Sequence, residues 1–372
     1  MNTVLKQKKI LIVIQNDLLG GAEQLLKLLS EEYNNQFCNI NIIFVRKLNN
    51  GDFWKNIPQN IKIKNLNSKS YFVGFIRLFF LLLFSNEKFD LIFSSNININ
   101  CILGSLKKIN LLSTKKLIIR ETTSVFHREK GLKKFIQVLK YKIGYSGADL
   151  IICQTDVMRT QFLENLPHSN IWNLKVFQNP INTQLVLKKS KNEIDFFDFK
   201  PSVKYIVSAG RFIYEKGFDL LINSFALIQN EFNNYKLIIL GEGKLREDLE
   251  LIIKELHLEN KVFLPGHVKN PYPYFRNADI CVVSSRLEGF PNVLLQMALL
   301  NNKIVTTKCA GNLDKIPAIT ICNTNDSKEL AESLKGKINE KIDNNEIEKK
   351  LNYLNSLNIK NYIDNIELEL YK

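Results

Sequence analysis

Short runs of β-branched and aliphatic residues alternate along the chain with longer stretches whose apolar positions recur every three or four residues, the pattern of strands joined by crossover helices. In the first half the strand-like runs are Lys9–Ile14, Ile40–Val45, Leu91–Ser94, Lys116–Ile119 and Leu150–Gln154, with helical spacing at 22–35, 70–86, 130–145 and 156–165. In the second half strands are expected at Tyr205–Ala209, Lys236–Leu240, Val262–Leu264, Asp279–Ser284 and Lys303–Thr306. Helices are expected there at 217–230, 244–256, 291–300, 327–340 and 345–356, and apolar residues at 359, 363, 366 and 370 form a last helical stripe. This order predicts an α/β protein of two successive doubly wound units, with a ligand held between them at the carboxyl ends of the strands. The expected division is 1–183, 184–358, and a terminal helix 359–372 that returns to the first domain. Asn179-Pro180 is a turn signal, and the polar stretch up to Lys200 makes Gln178–Lys200 the expected linker.

Composition changes this picture little, but charge changes it. Of 372 residues, 45% are hydrophobic and 24% charged, ordinary values for a folded chain that needs no disulfide or metal staple. The net charge of +14 is divided unevenly: residues 1–180 hold 25 Lys and Arg against 12 Asp and Glu, so +13, and residues 181–372 hold 26 against 25, so +1. A one-sided basic field favours an anionic partner, whether nucleic acid, an anionic membrane surface or a phosphorylated substrate. The six cysteines form no CxxC pair and read as small buried hydrophobes in a reducing compartment. The basic start precedes an apolar run of only Ile10–Ile14, and the longest apolar run, Tyr71–Phe84, contains Arg77 and falls short of the roughly 20 residues of a spanning helix. The expected location is cytoplasmic, peripheral at the inner face of the plasma membrane.

Four segments carry candidate chemistry. Gly20-Gly21, between the first strand and the first helix, lets backbone N–H groups approach an anion at the positive helix end. Gly210-Arg211-Phe212-Ile213-Tyr214-Glu215-Lys216-Gly217 repeats that placement and adds a planar fork, Arg211, and a point charge, Lys216, both suited to a diphosphate. Gly241, in Gly241-Glu242-Gly243, follows a strand but lacks the third glycine of a dinucleotide fingerprint, so NAD is not expected. The fourth segment runs from Ser284 through Glu288, Gly289, Phe290, Pro291, Asn292 and Val293 to Gln296. There a strand ends, a glycine turn follows, and Pro291 suits the first turn of a helix whose early amides would face phosphate. Each segment also reads as a plain turn or helix cap.

Taken together, and with Asn179-Pro180-Ile181-Asn182, Pro265-Gly266-His267 and Tyr274-Phe275-Arg276-Asn277-Ala278-Asp279 in the same order, these segments resemble the family 4 retaining glycosyltransferases, most strongly from Gly210 to about Lys315. The resemblance implies a GT-B fold of two Rossmann-like domains facing a central cleft, a nucleotide-sugar donor, UDP most often, bound by the second domain, and an acceptor bound by the first. It implies no cofactor and no obligatory metal. Arg211 and Lys216 would neutralise the diphosphate, the amides after Gly289 would cradle it, and the Gly20-Gly21 loop would close over it. Gly210 and Gly241 would line the nucleotide, and Glu288 would be the first carboxylate of the family's E-x7-E motif, near the donor hexose. The second position is Gln296, whose amide offers one acceptor side and one donor side to a ribose where a carboxylate accepts twice. Arg120 and Glu121 after a strand, with His127, are the acceptor-side candidates; His127 reads also as a catalytic group or as a plain surface residue. No DxD-type pair stands at a strand end, and the four histidines do not cluster in sequence.

Residues 130–143, KGLKKFIQVLKYKI, place Leu132, Ile136, Leu139 and Ile143 on one helical face and lysines on another; with Tyr71–Phe84 this suits a domain that meets anionic headgroups, and the two segments read equally as a solvated lysine face and a crossover helix buried against the sheet. The expected partners are therefore a nucleotide sugar, a glycan or polyprenyl-diphosphate-linked acceptor, and an anionic membrane surface, without nucleic acid. A basic nucleic-acid binder is the alternative from another class; it predicts a recognition helix or aromatic platform, neither of which is legible. A catalytically weakened GT-B scaffold is the alternative raised by Gln296, and an enzyme that hydrolyses or epimerises a UDP-sugar would need further acid and base groups.

Overall fold

The computed structural model describes residues 7–18, 20–48, 53–55, 57–122, 126, 131–194 and 198–372. The chain forms two compact units, residues 1–180 with 359–372, and residues 181–358. The first holds a seven-stranded parallel sheet: β1 (Lys9–Asn16), β2 (Asn39–Arg46), β3 (Lys62–Asn65), β4 (Phe89–Ser94), β5 (Thr114–Arg120), β6 (Leu150–Cys153) and β7 (Leu174–Val176), in the order β3-β2-β1-β4-β5-β6-β7. The second holds six parallel strands: β8 (Lys204–Ala209), β9 (Tyr235–Leu240), β10 (Val262–Gly266), β11 (Ile280–Val283), β12 (Ile304–Thr307) and β13 (Ile319–Cys322), in the order β10-β9-β8-β11-β12-β13. Each order reverses once, between β1 and β4 and between β8 and β11, and at these points the loops leaving the strands diverge and open room for a ligand.

Both sheets are covered on both faces, which is why their central strands are mostly apolar runs. In β1, Leu11 and Val13 face one core with Leu78, Leu103 and Tyr141, while Ile10, Ile12 and Ile14 face another with Leu25, Leu29 and Tyr33. The terminal helix Ile359–Leu370 belongs to that second core through Tyr362, Ile363, Ile366 and Leu370, and Lys8–Glu367 (2.8 Å) and Lys175–Glu369 (2.9 Å) pin its polar side.

Several elements depart from the expected list. The stretch 178–200 is no linker throughout: it contains the helix Thr183–Lys189, capped by Asn182, which accepts from the Leu185 N–H at 2.9 Å, and the chain passes between units at Pro180–Ile181. Val186 is the buried side chain of this helix, and Leu185 and Leu187 are exposed. β3, the helix Ile97–Lys108, β7, the short helix Tyr272–Asn277 and β13 are additional.

In the second unit Lys350 is fully buried on the helix Asn344–Ser356, and its ammonium donates to the Asn301 carbonyl at 2.8 Å. That carbonyl ends the helix Asn292–Leu300, where a cation is favoured. Burial, with Lys337 adding repulsion, pulls the Lys350 ammonium down from 10.5 to about 8. The folded chain thus releases this proton before the unfolded chain does, and between those values stability rises with pH. Urea unfolding of wild type and Lys350→Met at several pH values should show the difference moving in favour of wild type as pH climbs through that window; a pH-independent difference contradicts the assignment.

Candidate active site

The second unit's switch point brings together two loops that lie far apart in sequence. The first leaves β8 at Gly210 and reaches the helix Phe218–Ile228 through Gly217, whose φ of 61° is left-handed. A Cβ at Gly217 would stand 2.2 Å from the Ser284 carbonyl oxygen, so only glycine admits the approach of the second loop, which leaves β11. Gly241 is constrained likewise: its φ is 145°, and a Cβ there would meet the Gly210 carbonyl oxygen. The loops after β8 and β9 are therefore stacked backbone on backbone, joined by Gly210 N–H to Leu240 O (2.9 Å) and Phe212 N–H to Glu242 O (2.8 Å).

Across this seam the Lys216 ammonium donates to Glu288 Oε1 at 2.5 Å, and the Ser285 hydroxyl donates to the same oxygen at 2.9 Å. Both charged side chains are 18% exposed, so the pair lies just below the surface. The stem of Lys216 runs over Gly210, and the Glu288 N–H donates to the Cys309 carbonyl at 2.8 Å. An ammonium has three N–H donors and Glu288 takes one, which orients the rest. Lys216 and Glu288, expected to serve opposite ends of a donor, thus meet in an ion pair. Arg211 is exposed on the same loop. Gly289, Phe290 and Pro291 are buried at the start of the helix Asn292–Leu300, with Asn292, Val293 and Gln296 half-buried along its first turns. Burial, reinforced by Glu288, pushes the Cys309 thiol up to about 12, so it remains a neutral packing group.

Sequence reasoning gave Arg286 no role, yet it fastens the two loops. Its guanidinium donates bidentately to Asp219 (2.8 and 2.6 Å), to the Tyr214 carbonyl (2.8 Å) and to Asn325 (2.8 Å), and it lies 4.1 Å from the Tyr214 ring centroid. Burial alone would raise the Asp219 carboxyl, and Arg286 more than offsets it, holding the group below its usual value. Ser285 and Cys309 were also missed as neighbours of Glu288; only their proximity in space shows it.

The first unit has its own polar corner at the ends of β1, β4 and β5. A cavity of about 90 Å³ is lined among others by Gln15, Ala22, Glu23, Ser95, Asn96 and Thr122. Gly20 and Gly21 precede its lining residues Ala22 and Glu23, where the helix Gly21–Asn35 begins; Gly20 has a φ of −136°, so the backbone here does not demand glycine. Arg120 and Glu121 lie fully buried beneath. Arg120 donates to Asn179 at 2.6 Å, Tyr145 donates to Glu121 at 2.8 Å, and Asn100 links Tyr145 (2.9 Å) to Ser94 (2.5 Å). Burial lowers the Arg120 guanidinium below its ordinary value, and the Tyr362 hydroxyl lies against it. These side chains hold the corner from below, and Thr122 is the first of the segment to face the cavity. His127 lies outside the described residues. Among the described residues no three His, Cys, Asp or Glu side chains group as metal ligands.

Two parallel doubly wound units, with stacked glycine loops and a lysine–glutamate pair at the second switch point, define a Rossmann-like two-unit protein of the GT-B class. Residues 190–355 match the family described as glycosyl transferases group 1. Over 214 residues the chain is 33% identical to an uncharacterized glycosyltransferase of Methanocaldococcus jannaschii, covering 55% of this chain and 51% of that one. Over 194 residues it is 31% identical to the N-acetylgalactosamine-N,N'-diacetylbacillosaminyl-diphospho-undecaprenol 4-alpha-N-acetylgalactosaminyltransferase of Campylobacter jejuni, covering 52% of this chain and 51% of that one. The chain spans about half the length of these curated relatives. In structure it is similar to Anabaena Alr3699/HepE in complex with UDP and glucose, with TM-score 0.74, 16% identity, and coverage of 97% of this chain and 99% of that one.

The seam requires glycine at 217. Gly217→Ala should lower stability by about 2–4 kcal/mol in urea unfolding, from left-handed strain plus the Ser284 clash. Gly336→Ala, where a Cβ meets nothing within 4 Å, should be neutral or slightly stabilising; equal effects would show that the seam is not tight.

Proposed function

We propose that the chain is a family 4 retaining glycosyltransferase that moves a hexose or N-acetylhexosamine from a UDP-sugar to a lipid-linked or surface-glycan acceptor at an anionic membrane face. The observation that carries this reading is the Lys216–Glu288 pair, with Arg211 on the same loop, at the switch point of the unit that matches the family. The name of the Campylobacter relative, an acceptor on diphospho-undecaprenol, supports the lipid-linked acceptor, and the UDP complex of the structural neighbour supports the donor nucleotide.

The chemistry follows from charge. Breaking the bond from the anomeric carbon to the diphosphate leaves negative charge on the departing oxygen and positive charge on the sugar. Lys216, Arg211 and the amides that open the helix at Asn292 stabilise the leaving group where it develops, the task a divalent cation performs in other transferases. Glu288 holds Lys216 in place and puts a carboxylate beside the sugar. Retention needs no protein nucleophile if the departing phosphate takes the acceptor proton on the same face. Gln296 binds the ribose as a donor–acceptor amide in place of a carboxylate. Residues 184–358 would bind the donor through Gly210, Gly241 and the segment 288–296, and residues 1–183 the acceptor near Arg120 and Glu121.

A thermal-shift panel of UDP- and GDP-sugars tests this directly. UDP-sugars should raise Tm in proportion to the logarithm of their concentration above Kd. No shift with any nucleotide sugar, while the chain unfolds cooperatively, would sink the reading.

A further inference from the structure

The first unit's sheet carries different chemistry on its two sides. One side is covered by three neighbouring helices, Tyr71–Leu83, Ile97–Lys108 and Gly131–Gly144, the middle one packed against both others. A Cβ on Gly104 would stand 1.8 Å from the Gly144 carbonyl oxygen, so the last two helices meet backbone to backbone. This contact seats Gly131–Gly144 by its Tyr141 and Gly144 edge and turns its apolar stripe outward, leaving Leu132 73% and Phe135 66% exposed, with Leu139 and Ile143 also exposed. The helix Tyr71–Leu83 does the same: Phe72 is 74% exposed, Phe80 is exposed, and Phe84 just beyond is 76% exposed. A helix on a water-facing surface ordinarily turns such a stripe to the core. An apolar groove of about 250 Å³, lined by Phe72, Phe75, Ile76, Phe79, Phe80 and Ile102, runs along this side.

The charges of these helices share one sign. The three together hold seven Lys or Arg, including Arg77, Lys107, Lys133 and Lys142, and no Asp or Glu. On the opposite side of the sheet the helices Gly21–Asn35 and Ile359–Leu370 hold Lys27 and Lys360 against six acidic residues. These three helices, where the apolar side chains stand out, therefore carry +7 of the +13 of the first half.

We propose that this side docks the first unit on an anionic bilayer, with Phe72, Phe80, Phe84, Leu132, Phe135 and Leu139 in the interfacial layer and the lysines against lipid phosphates. Charge complementarity selects that occupant. Two copies of so basic a face repel each other, and a nucleic-acid backbone offers the phenylalanines nothing to enter, whereas a headgroup layer over acyl chains receives both. No described helix is long and apolar enough to cross a membrane, so the face lies on the bilayer. The inference deepens the proposed lipid-linked acceptor by naming the surface where the chain meets it.

The test is flotation of the full chain with phosphatidylglycerol–phosphatidylcholine vesicles and with phosphatidylcholine alone. The chain should float with the anionic vesicles at low salt and stay behind with the neutral ones. The triple variant Phe72→Ser, Phe80→Ser, Phe135→Ser should partition at least about tenfold less, and Lys133→Gln with Lys142→Gln should bind more weakly with a shallower salt dependence. Circular dichroism and nucleotide-sugar stabilisation identical to wild type show that the variants fold. Equal partition of wild type and the serine variant, or no flotation while nucleotide-sugar stabilisation persists, overturns the docking face and leaves the transferase reading standing. A concentration-dependent dimer that the serine variant dissolves would assign the face to a second copy and overturn it as well.

Discussion

The Ser284 carbonyl occupies the space a side chain at residue 217 would need, 2.2 Å from its Cβ position, and the arrangement of the second unit's candidate site depends on that contact. Because residue 217 has no side chain, the loop after β8 lies flat against the loop after β11. The ammonium of Lys216 then falls within 2.5 Å of the Glu288 carboxylate 72 residues later. Arg286 fixes the same seam through Asp219 and Tyr214. Two backbones in contact and two ion pairs convert mobile lysine and glutamate side chains into a preorganised site, the condition for electrostatic catalysis without reorganisation during reaction.

The first unit solves a different problem by the same means. Gly104 and Gly144 bring two helices into backbone contact, and that contact decides which edge of Gly131–Gly144 is buried. The apolar stripe then has no core to enter. Glycine in both units spends side-chain freedom on geometry: in one it shapes a polar site, in the other it turns an apolar face outward.

Strands buried on both faces announce themselves, which is why β1, β2, β4, β8, β9 and β11 were legible from runs of Ile, Leu and Val. β3, Lys-Ile-Lys-Asn, was not, because an edge strand exposed to water needs no apolar run. The helix at 97–108 begins Ile-Asn-Ile-Asn, an alternation that imitates a strand; the cap at Asn96, which accepts from the Asn98 and Ile99 N–H groups, sets it winding instead. The short helix Thr183–Lys189 was hidden because its 7 residues bury only Val186 and so show no apolar period. Of the candidate site, the glycine loops, Arg211, Lys216, Glu288 and Gln296 could be read from their places between strand and helix. The pairing of Lys216 with Glu288, the help of Ser285 and the Arg286–Asp219 clamp could not, since each joins elements distant in sequence or, for Ser285, depends on a side-chain direction that spacing does not encode.

The central claim is that Lys216, oriented by Glu288, is the cation that receives the donor diphosphate. Isothermal titration of UDP against wild type and Lys216→Met measures this without any acceptor. A charge-assisted hydrogen bond of about 1.5–3 kcal/mol predicts a loss of affinity of roughly 10–150-fold. An unchanged Kd would place the diphosphate elsewhere and contradict the account.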